Sequence, residues 1–251
     1  MPVDENKLIQ VLLEMGERLL VSGAEVNRVE DTLSRLGLAY GAAKMNVFVI
    51  TSTIMITMEK QDGALLTHTR RVHLEGSTNF TALEQLNALS RSCCSAPIPL
   101  EEFEERLSLC PAKKSRWNLY LGGILGAGSF ALFFGGSVLD GLAAALFAVI
   151  ICLLQEKGAK LFYNNIMFNL ACSFVIGLLI CLTAKLLPCL QADKVMIGDI
   201  MLLIPGIAMT NAIRNMLMGD TMAGTMRLIE SLLWAGALAS GFMASIWMVG
   251  L

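Results

Sequence analysis

From Trp117 onward the sequence is a succession of long apolar runs with sparse charges, and this pattern dictates the class of fold. Backbone in lipid finds no water to bond to, so runs of this length must close their hydrogen bonds internally, as helices. Five stretches fit the ~17–25 apolar residues of a bilayer crossing. They run roughly over Trp117–Phe134, Val138–Leu154, Ile166–Leu187, Val195–Ile213 and Leu228–Leu251. Most of the charge lies before them. The expected architecture is an α-helical polytopic membrane domain of about five transmembrane helices over residues 117–251, preceded by an α+β cytosolic domain over residues 1–116.

With 55% hydrophobic and 16% charged residues, the chain is too apolar for an ordinary soluble domain. Its net charge of −2 gives no electrostatic case for a nucleic-acid partner. The acidic start, Met1 to Glu5, lacks the basic segment and apolar core of a secretory signal, which places the first domain in the cytoplasm. Alternating the loops then puts Lys113, Lys114, Arg116, Lys157, Lys160, Arg214 and Arg227 inside, against Lys185 and Lys194 outside. The expected location is the cytoplasmic membrane, with the amino terminus inside and the carboxyl terminus outside. Seven cysteines show no Cys-x-x-Cys spacing and no nearby histidine pair, so packing is their expected role and neither a metal nor another cofactor is expected. No nucleophile–base pair or phosphate loop suggests an enzyme.

In the first domain, Val11, Leu12, Met15, Leu19 and Leu20 recur at helical spacing. Ser22-Gly23-Ala24-Glu25 reads as a capping box that opens a second helix, with Val26, Val29, Leu33 and Leu36 on one face. Alternation from Asn46 to Met58 predicts one strand, with Phe48, Ile50, Ile54, Ile56 and Met58 on one side and Val47, Val49, Thr51, Thr53 and Thr57 on the other. Asp62-Gly63 is a hairpin signal, with a return strand over about Ala64–Leu74. That strand carries His68, Arg70, Arg71 and His73, readable as an anion or headgroup site or as a solvated edge. A second capping box at Thr81-Ala82-Leu83-Glu84 opens a helix to about Arg91, and Pro99 precedes a short acidic helix ending near Cys110.

The chemistry concentrates between Asp199 and Glu230. Pro205-Gly206 interrupts the fourth crossing, and such a break is tolerated in lipid where it lines a cavity. Asn211 and Arg214 lie three apart, as do Arg227 and Glu230, and Gly219-Asp220 separates the pairs. A guanidinium beside the start of a half-helix suits a substrate carboxylate, while Asp199 suits a substrate ammonium or a coupled proton. The plainer alternatives are that Arg214 and Arg227 mark the cytoplasmic end of a crossing, that Asp199 lies at headgroup level, and that Pro205 only kinks a packed helix. Asn164, Asn165 and Asn169 offer amides at the start of the third crossing. Gly122-x-x-x-Gly126, Gly236-x-x-x-Ser240 and Gly241-x-x-x-Ser245 give smooth helix faces for packing within the chain or in a homo- or hetero-oligomer.

The run Ser22-Gly23-Ala24-Glu25-Val26-Asn27-Arg28-Val29-Glu30-Asp31-Thr32 resembles the first signature of the threonine/serine exporter family. Ile204-Pro205-Gly206, Thr210 to Arg214, Gly219-Asp220, Gly224 and Arg227 to Glu230 are similar to its second. The resemblance covers almost the whole chain. It implies export driven by the proton-motive force, with threonine or serine favoured and a dicarboxylate such as succinate the alternative. Some members fuse two membrane modules, whereas others divide them between a longer subunit like this one and a short all-membrane partner. A proton role after the signature arginine is not implied, because the family's acidic residue is Asn215 here. Outside this family, the same layout suits a membrane sensor with a ligand-binding cytosolic domain.

Overall fold

The computed structural model describes residues 4–50, 52–73, 78–110, 116–158, 162 and 164–250. Thr51, Leu74, Pro111, Lys113, Lys114, Lys160 and Leu251, which figure in the expectations above, lie outside the described residues, as do the side chains of Arg116 and Asn165. The chain divides into two compact units, one of Met1–Lys113 with Thr210–Arg227 and one of Lys114–Met209 with Leu228–Leu251.

The first unit opens with α1 (Glu5–Val21), capped by the Asp4 carboxylate, which accepts from Asn6 N at 3.1 Å. Its buried face of Leu8, Leu12, Met15 and Leu19 packs on the Val26, Val29, Leu33 and Leu36 face of α2 (Val26–Ala39). The turn between them corrects the first expected capping box. Ser22 closes α1, and Gly23 takes a positive φ of 93° that other residues adopt at a cost. Gly23 N donates to Leu20 O and Ala24 N to Leu19 O, the paired bonds of a glycine-terminated helix. Glu25 precedes α2 without a side-chain cap.

The expected single strand is two. Strands β1 (Lys44–Ile50) and β2 (Thr53–Glu59) pair antiparallel, with Ile50 opposite Thr53 and Val49 opposite Ile54. With Ile50 opposite Thr53, odd positions of β1 lie opposite even positions of β2, so the two sets share a face. Val49, Ile54, Ile56 and Met58 are accordingly buried, whereas Phe48 is 53% exposed. Strand β3 (Leu65–Arg71) adds antiparallel to β2, giving the order β1-β2-β3. Arg70 lies opposite Ile54 and pairs with Glu17 of α1 at 3.2 Å; Arg71 is exposed on the other face. The four basic residues therefore do not converge.

The second expected capping box also shifts. Helix α3 (Phe80–Ser95) is capped by Asn79, whose side chain accepts from Ala82 N at 3.2 Å, and it runs one turn beyond Arg91. Helix α4 (Leu100–Leu109) follows Pro99 and buries Phe103, whose ring stacks on Tyr40 at 5.9 Å. Lys7 and Glu101 tie α1 to α4 at 2.7 Å.

The second unit is helical: α5 (Arg116–Phe133), α6 (Val138–Gly158), α7 (Asn165–Leu186), α8 (Ala192–Leu203), the first turn of α9 (Gly206–Leu217) and most of α10 (Thr221–Val249). Helix α5 ends at Gly135 with the same glycine closure as α1. Small residues let α5, α6 and α8 approach closely: a Cβ on Gly198 would stand 2.6 Å from Ala127 O and 3.2 Å from Ala144 Cβ. Gly241 of α10 meets Ser173 and the Leu170 carbonyl of α7, and Gly177 of α7 meets Ser245, so this third small-residue pair packs internally. Gly122 and Gly236 face open space.

Among the described residues, α6, α7 and α10 are long and apolar enough to cross a bilayer, and α8 with α9 makes a fourth span if its 54° bend is counted as one crossing. Helix α5 is a shorter apolar helix. The protein is thus a helical membrane protein with a small three-stranded sheet.

Candidate functional site

The first motif and the Thr210–Arg227 part of the second lie together in the first unit. Helix α9 closes at Gly219, φ 98°, with Asp220 N donating to Asn215 O at 2.9 Å. Helix α10 starts one residue later, and the hairpin is tight: a Cβ on Gly224 would lie 2.7 Å from Ala212 O. Ala223, 2% exposed, joins the core formed by α1, α2 and the sheet. The motif arginine, Arg214, donates from Nη1 to Glu25 Oε1 at 2.6 Å. These residues are 189 positions apart in the chain.

Glu30, one turn further along α2, accepts from Val49 N at 2.8 Å and faces the Asp220 carboxylate. Burial holds the Glu30 carboxyl above the usual range; the Val49 amide opposes this, and the negative charge of Asp220 reinforces it. Asp220 Oδ2 and Asn215 Nδ2 are buried without a hydrogen-bond partner among the described residues. The other motif residues stand apart from this cluster: Asp31 pairs with Arg35 at 2.8 Å, Arg28 is exposed, Asn211 is half-buried one turn before Arg214, and Ser22, Gly23 and Ala24 form the α1–α2 turn. Arg227 and Glu230 lie three residues apart on α10, with Glu230 exposed.

In the second unit, Asp199 sits on α8 at 0% exposure, and neither carboxylate oxygen has a hydrogen-bond partner among the described residues. Cys172 of α7 is in electrostatic contact with it. Six residues on, Pro205 is buried and supplies no amide for the Met201 carbonyl, and Gly206 N turns back to Ile204 O at 2.9 Å.

The sequence reading missed Asp140, a second carboxylate at 0% exposure. It accepts from Ser137 N at 2.7 Å, Ser137 Oγ at 2.8 Å and Gln191 N at 2.8 Å, fastening the start of α6 to the start of α8. The signal was present as Ser137-x-x-Asp140, a capping box with an aspartate in the reciprocal position. Of the amides, Asn164 caps α7 through Ile166 N at 3.1 Å and Asn169 is 8% exposed.

Over 97% of its length the chain is 27% identical to "Probable succinate transporter subunit YjjP" of Escherichia coli (strain K12), covering 96% of that protein. It is 24% identical to the protein of the same name in Klebsiella aerogenes, again covering 96% of it. It is 22% identical to "Threonine/serine exporter" of Corynebacterium glutamicum, of which it spans about half the length, 50%. No solved structure matches it. Residues 10–249, which contain both motifs, match the family described as "Putative threonine/serine exporter" (ThrE), and the chain belongs to that family of membrane transporters.

Proposed function

We propose that this chain is the longer subunit of a two-part exporter that expels a small carboxylate-bearing metabolite across the cytoplasmic membrane. The observation that carries the reading is one of length. The chain covers 96% of relatives that are named subunits, and half of a relative named as an exporter. A short all-membrane protein of the same family is the partner this predicts. In this reading residues 1–116 are cytosolic together with the Thr210–Arg227 hairpin, and α5, α6, α7, α8 with the first turn of α9, and α10 from Leu228 onward make five crossings within residues 117–251. The seven-to-two bias of basic residues puts the amino terminus inside.

We take a C4 dicarboxylate as the first substrate, a choice supported by the names of the length-matched relatives, and keep threonine or serine, which the motif resemblance favours, as the second reading. Either substrate presents a carboxylate to Arg214, which would exchange Glu25 for it. Asn211, Asp220, Arg227 and Glu230 flank that arginine in sequence, and Pro205-Gly206 interrupts the helix that precedes it. The proton-motive force drives export.

The test is efflux of labelled succinate, threonine and serine from preloaded cells that express this chain alone, with its short partner, or neither. Export of one substrate only when both are present supports the reading. Robust export by this chain alone refutes the split, and no substrate-specific efflux under any condition favours a sensor. A reporter active only outside the cytoplasm should give signal after Leu251 and none after Pro111; the reverse would overturn the topology.

A further inference from the structure

The second unit holds two fully buried carboxylates in opposite states. Asp140 receives three hydrogen bonds, enough to hold it as an anion in an apolar bundle. Asp199 receives none. A naked carboxylate in such surroundings costs many kcal/mol, so the group must be neutral or must have a bound cation. The elements packed on α8 are α5, α6 and α7. On α6, Asp140 is satisfied, and Glu156 is bound by Tyr120 of α5. On α7 the group in electrostatic contact is the Cys172 thiol, and on α8 itself Lys194 is paired with Asp193 at 3.2 Å. No basic side chain compensates Asp199 among the described residues. Nor do three acidic, histidine or cysteine side chains gather anywhere among them to hold a metal ion. A proton needs only one oxygen.

The break lies close by. Two residues past Asp199, the Met201 carbonyl lacks its helical donor because Pro205 has no amide, and half-helix ends with freed carbonyls are where carriers hold coupling ions. We propose that Asp199 is the proton-carrying group of this exporter: it binds a proton as the neutral acid while the bundle is closed around it, and releases that proton to water admitted at the Pro205 break. The proposal rests on the exporter reading for its use, but not for its chemistry. One O–H bond forms on uptake and breaks on release, with no other reactant.

The test uses N,N′-dicyclohexylcarbodiimide, which modifies protonated carboxyls in apolar surroundings, on the full chain with its partner in native membranes, read by mass spectrometry. Asp199 should carry the adduct, Asp140 should not, and the Asp199 adduct should be lost as the pH is raised. In the same membranes, Asp199→Asn at matched abundance should abolish uphill substrate movement driven by a pH gradient. No adduct on Asp199, an adduct indifferent to pH, protection by sodium instead of alkaline pH, or gradient-driven transport in Asp199→Asn would each overturn the proposal. If Asp199→Asn fails to accumulate, labelling of the unmodified chain still decides. Absence of any transport by the unmodified complex would count against the exporter reading and would leave the labelling result intact.

Discussion

The two buried aspartates make a sharp stability prediction, because the same substitution should have different effects at Asp140, which fastens the start of α8 through Gln191, and at Asp199, eight residues beyond Gln191. Asp140→Asn keeps one acceptor oxygen and turns an NH₂ toward the other donors, so either Gln191 N or the Ser137 pair loses its partner. An unmet buried donor costs about 1–3 kcal/mol. Ser137 and Gln191 are themselves exposed residues, so water or headgroups recover part of the loss, leaving about 1–2 kcal/mol for asparagine. Asp140→Ala removes both acceptors, and about 2–4 kcal/mol follows. Asp199→Asn breaks no bond, since there is none to break, and its effect should stay within about 1 kcal/mol or be stabilising. The assay is the temperature at which the detergent-solubilised full chain loses its monodisperse elution peak. Asp140→Ala should fall furthest, Asp140→Asn less, and Asp199→Asn should match the parent or exceed it. An Asp199→Asn protein that melts below Asp140→Asn would refute the account, because it would mean that Asp199 makes stabilising interactions the geometry denies.

Gly198→Ala should cost about 1–3 kcal/mol in the same assay, because its Cβ meets the Ala127 carbonyl, which cannot move aside; Gly122→Ala, facing open space, should be neutral. Glu30 is an acid whose carboxyl is raised in the fold, so its contribution to stability is full at acidic pH and is lost as pH rises through its folded value. Glu30→Gln should therefore melt higher than the parent at neutral pH, with the difference vanishing on acidification, and equal melting at every pH would remove that strain. Arg214→Lys should leave accumulation unchanged, since an exposed pair with Glu25 is worth no more than about 1 kcal/mol, yet export should fall sharply through loss of the planar two-pronged contact. Near-normal efflux at matched abundance would exclude Arg214 from substrate binding.

What could be read from the sequence was what depends on neighbours in the chain. The α1 and α2 faces follow from helical spacing, and the break follows from a proline in an apolar run. The strand pair was misread because alternation continues through Thr51 and Ser52, with no glycine or asparagine to mark the turn. Ser22-Gly23-Ala24-Glu25 satisfies the pattern for opening a helix and also for closing one; the positive φ at Gly23 decided it for closing. The site was harder to see. Asp199 stood out as an acid in an apolar run, but its lack of partners is a property of the helices around it. The pairing of Glu25 with Arg214 joins residues from opposite ends of the chain, which no local pattern encodes.

The fastening of α8 by Asp140 has a mechanical consequence. The helix is clamped at Gln191, through a bond at 2.8 Å, and severed at Pro205, about 21 Å along its axis. A rod held at one end and cut at the other behaves as a cantilever, whose deflection grows with distance from the clamp. Asp199 lies about 12 Å out, past the midpoint. The close packing of Gly198 on Ala127, Ala131 and Ala144 gives the rod a second support beside that acid, so bending at the cut end falls on the last turn before Pro205, and the acid sits at the fulcrum between a rigid stretch and a compliant one.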